Sequence, residues 1–181
     1  MRLTMAGRMS WVVLAALVVA SPAFAADAPT PEAIRTQAQA CADAMLKGDL
    51  ESFANYTHPK LIELMGGRQK FIDAIKQGNA EMKAQKSAIT GFSTRAPEGV
   101  VKGGNDLFAV VPMTLTVTQK DTKVSHEGYL VAVSSDGGAK WTFITGDERA
   151  KLKEILPNLP EDLKLPAPPA AKAAEKPPAK K

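Results

Sequence analysis

Few side chains in this sequence can do acid–base or nucleophilic chemistry: two histidines, one cysteine and two tyrosines among 181 residues. One stretch gathers several of them, Ser125-His126-Glu127-Gly128-Tyr129, within an otherwise alternating apolar segment. Side chains along a strand point to opposite faces in turn. Glu127 and Tyr129 therefore share a face with Val131 and Val133, and His126 shares the other with Leu130. A carboxyl turned into an apolar cavity loses hydration, its pKa rises, and it can act as a general base. In that arrangement Glu127 is the catalytic base, and Tyr129 or Tyr56 assists by donating a hydrogen bond. The plainer alternative pairs Glu127 with a lysine at the open end of a sheet, such as Lys123.

The remaining candidates have plain structural readings. Metal binding would need His58 and His126, far apart in sequence, to converge with a carboxylate. No pattern here asks for a metal or a cofactor. His58 precedes Pro59, which disfavours helix at that position, so His58 is expected in an extended or turn conformation with a local hydrogen bond. Cys41 has no second cysteine to pair with. It shares a helical face with Ala38, Met45 and Leu46 and reads as a small buried hydrophobe. Gly66-Gly67-Arg68 opens a helix and reads as a turn rather than an anion site.

These residues must be positioned by a short series of elements. Thr30 can cap a helix over 31–47, with Pro31 in its first turn and Ile34, Ala38, Cys41 and Met45 as its apolar stripe. Gly48 ends it, and Asp49 can cap a short helix carrying Leu50, Phe53 and Ala54. Residues 60–65 suit a strand or a brief connector. A longer helix follows over about 68–85. Gly78 inside it costs about 1 kcal/mol relative to alanine, and implies a kink or a close neighbour. The period then changes to two. Strands are expected over 87–95, 100–102, 107–118, 123–134 and 140–145, with turns at Gly103-Gly104-Asn105 and Asp136-Gly137-Gly138. Pro112 within the third implies an edge or a bulge. Asp147 can cap a last short helix with Leu152, Ile155 and Leu156 inward, and Leu159, Leu163 and Leu165 are expected to pack back. Helices followed by antiparallel strands give an α+β layer, a sheet with helices on one face.

The two ends differ from this body. Arg2 and Arg8 precede an apolar run from Trp11 to Ala20, and Ala23-Phe24-Ala25 forms a small-x-small cleavage pattern. Residues 1–25 read as a secretory signal peptide, followed by a leader at 26–30 and a domain at 31–165. The apolar run is too short to span a bilayer, so no transmembrane segment is expected after cleavage. The expected product is periplasmic or secreted. The formal net charge of +4 comes from the ends, since the signal contributes two positives and 166–181 a net three. The body is left one negative, which argues against a nucleic-acid partner. The Pro/Ala/Lys tail at 166–181 cannot bury enough surface to fold, and its charge suits weak, salt-sensitive contact with anionic envelope surfaces.

Two stretches resemble the nuclear transport factor 2-like superfamily, the cone-shaped cystatin-like α+β group that includes ketosteroid isomerase-type members. One runs Met45-Leu-Lys-Gly-Asp-Leu-Glu-Ser-Phe, then Tyr56-Thr-His-Pro-Lys-Leu and Gly66-Gly67-Arg68. The other runs Gly128-Tyr-Leu-Val-Ala-Val, then Asp136-Gly-Gly and Trp141-Thr-Phe143. The resemblance covers most of 31–146. It implies a strongly curved antiparallel sheet wrapped on the N-terminal helices, an apolar cavity at the wide end, and a homodimer through the sheet. Phe53, Tyr56, Phe71, Ile75, Met113, Trp141 and Phe143 are then expected to line the cavity. The superfamily is functionally broad, and its base and oxyanion positions have no residue-by-residue match here. Scarce titratable groups favour a non-catalytic module binding a small apolar molecule. An isomerase, dehydratase or cyclase using Glu127 is the alternative, and a dimeric envelope interaction protein is a third.

Overall fold

The computed structural model describes residues 29–120, 122–146 and 148–166. The stretch expected to be a signal peptide, residues 1–25, and nearly all of the tail lie outside them. The architecture is α+β. Helices α1 (Pro31–Lys47), α2 (Leu50–Tyr56), α3 (Pro59–Leu64) and α4 (Arg68–Ala84) precede five strands. These are β1 (Ser87–Thr94), β2 (Val100–Gly103), β3 (Asp106–Gln119), β4 (Thr122–Ser134) and β5 (Thr142–Thr145), followed by α5 (Arg149–Ile155). The strands form one strongly curled antiparallel half-barrel in the order β1-β3-β4-β5, with β2 also paired to β3.

The helix boundaries follow from local chemistry. The Thr30 hydroxyl accepts the Ala33 N–H at 3.2 Å, and Gly48 closes α1 at φ 71°, where a side chain would be strained. The Asp49 carboxylate accepts from the Ser52 N–H at 3.1 Å and starts α2. Residues 59–64 are helical rather than extended. Pro59 takes the first helical position, where its missing N–H costs nothing, and His58 caps it through Nδ1. Leu46, expected on the buried face of α1, is exposed.

β3 and β4 pair without a break from Leu107↔Ser134 to Gln119↔Thr122. At the base of this pair both faces are buried. Ala109, Val111, Leu130 and Ala132 pack with Ile34, Ala38 and Cys41 of α1, and with Trp141 and Phe143. On the opposite face Phe108, Tyr129, Val131, Val133 and Ile144 pack with Leu152 and Leu156 of the α5 region and with Leu159 and Leu163 beyond it. The helices thus do not all lie on one face, because the C-terminal segment covers the second. Farther along the hairpin the outer face turns polar. There the Thr90 and Thr118 hydroxyls lie 2.8 Å apart, and those of Thr116 and Ser125 3.3 Å.

Pro112 sits in the middle of β3 with no register shift against β4. The carbonyl of Pro112 accepts from the Arg95 N–H at 2.9 Å, so its main chain faces the β1 side. There β1 ends opposite Met113 and β2 begins opposite Ala109, and the missing N–H falls in the gap between them. The bulge in this sheet lies instead in β1, between Ile89 and Gly91.

Two glycines give opposite expectations. A Cβ on Gly146 would come within 2.3 Å of the Tyr129 ring. Gly146→Ala should therefore cost about 1–3 kcal/mol in denaturant unfolding. A Cβ on Gly78 meets nothing within 4 Å, so the close neighbour expected from the sequence is absent there. Gly78→Ala should raise stability by about 0.5–1 kcal/mol in the same assay.

Candidate functional site

The residues expected to line a cone cavity divide between two packed clusters. Trp141 and Phe143 are buried, with Phe53, Tyr56 and Met113 packed against the same core. Phe71 joins Leu50, Ala54 and Ile72 in a separate cluster between α2 and α4, against which Ile75 also packs. The Phe53 and Phe71 rings stack with centroids 5.8 Å apart, bridging the two groups. Trp141 lies just before β5 and is fully buried, its Nε1–H donating to the Gly138 carbonyl at 2.9 Å. That turn is held by Asp136, which accepts from the Lys140 N–H and the Ser134 hydroxyl. These bonds, the Lys140 amide first, hold its carboxyl below the usual range.

The proposed catalytic trio is not brought together. Glu127 pairs with Thr114 on the outer sheet face and is exposed. Tyr129 shares that face but is buried under the α5 region. Tyr56 packs on the opposite, helix-covered face. His126 pairs with Leu115 on the inner face. Among the described residues no group of three or more His, Cys, Asp or Glu could hold a metal ion.

Three grooves are lined elsewhere, and of the expected cavity residues only Ile75 borders one. Two adjoin one another between the end of α1, α4 and β1, sharing Met45, Asn79, Met82 and Ile89, at about 430 and 390 Å³. The third, about 490 Å³, lies on the outer face beside the β1–β2 gap. Its walls are Val100, Val101, Val110 and Pro112 from the sheet and Leu163, Leu165 and Pro166 from the C-terminal segment. Among the described residues, Glu98, Asp162 and Lys164 supply its charges.

Arg149 builds the second wall of this groove. Its guanidinium donates to the Pro160 carbonyl at 2.7 Å and to the Leu163 carbonyl, tying residues 160–163 to the start of α5. Lys153 pairs with Glu161 on the same segment, and that contact, followed by the charge of Arg149, holds the Glu161 carboxyl below its ordinary range. Arg149 carries no signal in the sequence. It reads as a solvated helix charge until the chain folds back past Pro157 and Pro160.

The histidine and the cysteine have structural roles. The His58 Nδ1 accepts the Lys60 N–H at 3.2 Å, while the backbone N–H of His58 donates to the Phe143 carbonyl at 3.1 Å, joining the α2–α3 corner to β5. Burial pushes its pKa down, partly opposed by the charge of Asp106. Burial alone pushes the Cys41 thiol up to about 12. Compared with protein-family models and with curated proteins, the chain matches none.

Two predictions follow from these groups. Cys41 should resist thiol reagents in the native protein at pH 8 and react on unfolding. Because its folded pKa lies above the unfolded value of 9.0, its contribution is full below pH 9 and is lost as pH rises toward 12. His58 has the opposite sign. The unfolded chain binds its proton first, so stability falls as pH drops below 6.5, and His58→Gln should remove that slope in chemical-denaturation titrations.

Proposed function

We propose that this protein is an exported, non-catalytic binding module of the nuclear transport factor 2-like kind. It takes a small, largely apolar molecule in the outer-face groove walled by Val100, Val101, Val110, Pro112, Leu163 and Leu165. The observation that carries this reading is the groove's composition: aliphatic walls from two separate elements, with Glu98, Asp162 and Lys164 as its charges. Its volume of about 490 Å³ falls within the usual range for ligand sites. Burial of apolar ligand surface supplies the affinity, at roughly 25 cal/mol per Å². The charged residues supply orientation, with Lys164 suited to an anionic end group.

Export is supported by the Arg2/Arg8, Trp11–Ala20 and Ala23-Phe24-Ala25 pattern of the first 25 residues. Among the described residues no helix is long and apolar enough to cross a membrane. A base-catalysed reading gains less from the arrangement, since Glu127 borders none of the three grooves.

Native mass spectrometry of protein purified from its own compartment should show a retained small molecule. Medium-chain fatty acids, used as probes in amide NMR titrations, should shift Val100, Val101, Val110, Leu163 and Leu165 together. Val110→Trp, which fills the groove, should weaken that binding about tenfold or more. Arg149→Ala should cost about 1.5–3 kcal/mol of stability and weaken probe binding as well, by releasing the 160–163 wall. Shifts confined to the α1–α4–β1 grooves, or no saturable shifts at all, would overturn the assignment.

A further inference from the structure

The two adjoining grooves between the end of α1, α4 and the start of β1 form one trough, separate from the outer-face groove. Met45, Met82 and Ile89 border both halves, with Leu46 in one half and Ile75 in the other. Leu46 is exposed, and Met45, Ile75, Met82 and Ile89 are only half-buried. Gly78 borders the trough too, and a Cβ there would meet nothing within 4 Å. A glycine inside a helix costs about 1 kcal/mol relative to alanine, and here no neighbour packs close enough to require one. What it leaves is room beside the methionines, whose flexible side chains can mould to an incoming group.

The trough follows the edge of β1, and only half of that edge is closed. At the far half Gln39 of α1 stands in for another strand. Its Oε1 accepts the Thr94 N–H at 3.0 Å, and its Nε2 donates to the Phe92 carbonyl at 3.1 Å. At the near half the Lys120 N–H donates to the Lys86 carbonyl at 3.2 Å, so Lys86 faces β3. Main-chain groups alternate in direction along a strand. Ser87 and Ile89, which both border the trough, therefore face away from β3. β1 ends the strand order on its side, and among the described residues nothing bonds these outward N–H and C=O groups. A free strand edge of this kind is a template for another strand.

Lys47 and Lys83 border the same half of the trough as Ser87, each in the last turn of its helix. Among the described residues neither forms an ion pair, although the charge of Lys47 reaches Asp49 at the start of α2. Glu81, in the other half, already accepts from the Gln77 amide at 2.9 Å.

We infer that this trough binds an extended acidic segment of a partner protein, which adds to β1 as a short strand. Its main chain pairs with Ser87 and Ile89. Apolar side chains two residues apart settle among Met45, Ile75, Met82 and Ile89, and a neighbouring carboxylate meets Lys47 and Lys83. The open strand edge selects a peptide, because a lipid or small apolar molecule could use the apolar walls but not the row of main-chain groups. The two ammonium groups select an acidic segment over a basic one.

The probe is a blocked, fluorescently labelled heptapeptide of alternating leucine and threonine with a glutamate at each end. It should bind the purified protein saturably in anisotropy titrations. In NMR it should shift the Gly78, Ser87 and Ile89 amides and leave Val110 and Leu163 unmoved. Methylating its central amide nitrogens, or replacing its glutamates by lysine, should each weaken binding about tenfold or more. Gly78→Leu, which fills the trough, should weaken it by about as much, yet melt no lower than the wild type, because leucine is the better helix former. Lys47→Glu with Lys83→Glu should reverse the preference between the acidic and the basic probe. No saturable binding, shifts confined to the outer-face groove, or equal binding of the two probes would overturn the proposal. So would a folded Gly78→Leu variant that binds as tightly as the wild type.

Discussion

The structure depends on the unbroken antiparallel pairing of β3 with β4. Because side chains alternate along both strands, a single register decides two cores at once. Ala109, Val111, Leu130 and Ala132 turn to α1, while Phe108, Val131 and Val133 turn to the α5 region and the segment after it. A slip of one residue would send each set to the wrong partner. The sheet is therefore the shared wall of two apolar compartments, and neither set of helices could bury its stripe without it.

The outer-face groove is a consequence of how that wall ends. β3 is longer than either strand beside it, and β1 and β2 share its edge with a gap where Pro112 can do without an N–H. The C-terminal segment, tied by Arg149 to the start of α5, crosses the outer face next to this gap. A site thus arises between two elements that are each there for packing. The same economy appears at the sheet edges. Gln37 and Gln39 lie two residues apart on α1, yet one holds the main chain just before β5 and the other the end of β1, because the half-barrel curls both edges toward the same helix.

Much of the fold was legible because its signals are local. Thr30, Pro31 and Gly48 bound α1. Asp49 starts α2, and the alternation from Leu107 to Val117 marks β3 and its buried face. Helix at 59–64 was harder to read, since six residues are too few to display a period and the deciding groups are a cap at His58 and a proline at the first position. The candidate site was less legible. Trp141, Phe143 and Phe71 carry the composition of a cavity lining, but aromatic side chains fill a core as readily as they line a pocket. Which they do depends on whether a second surface reaches them. Here Ile34 and Ala38 of α1 reach Trp141 and Phe143, and Leu50 and Ala54 of α2 reach Phe71.

The sequence by itself determined the order of the elements, the faces of the long strands and the burial of Cys41, because caps, turns and periodicity act between residues a few positions apart. Only the tertiary structure decided that α5 takes the opposite face from α1. It alone placed Arg149 under the carbonyls of Pro160 and Leu163, and left Glu127 exposed on the outer face. Those outcomes depend on the curl of the sheet and on where the chain folds back. Both are set by the packing of whole elements against one another, for which no short stretch of residues carries the information.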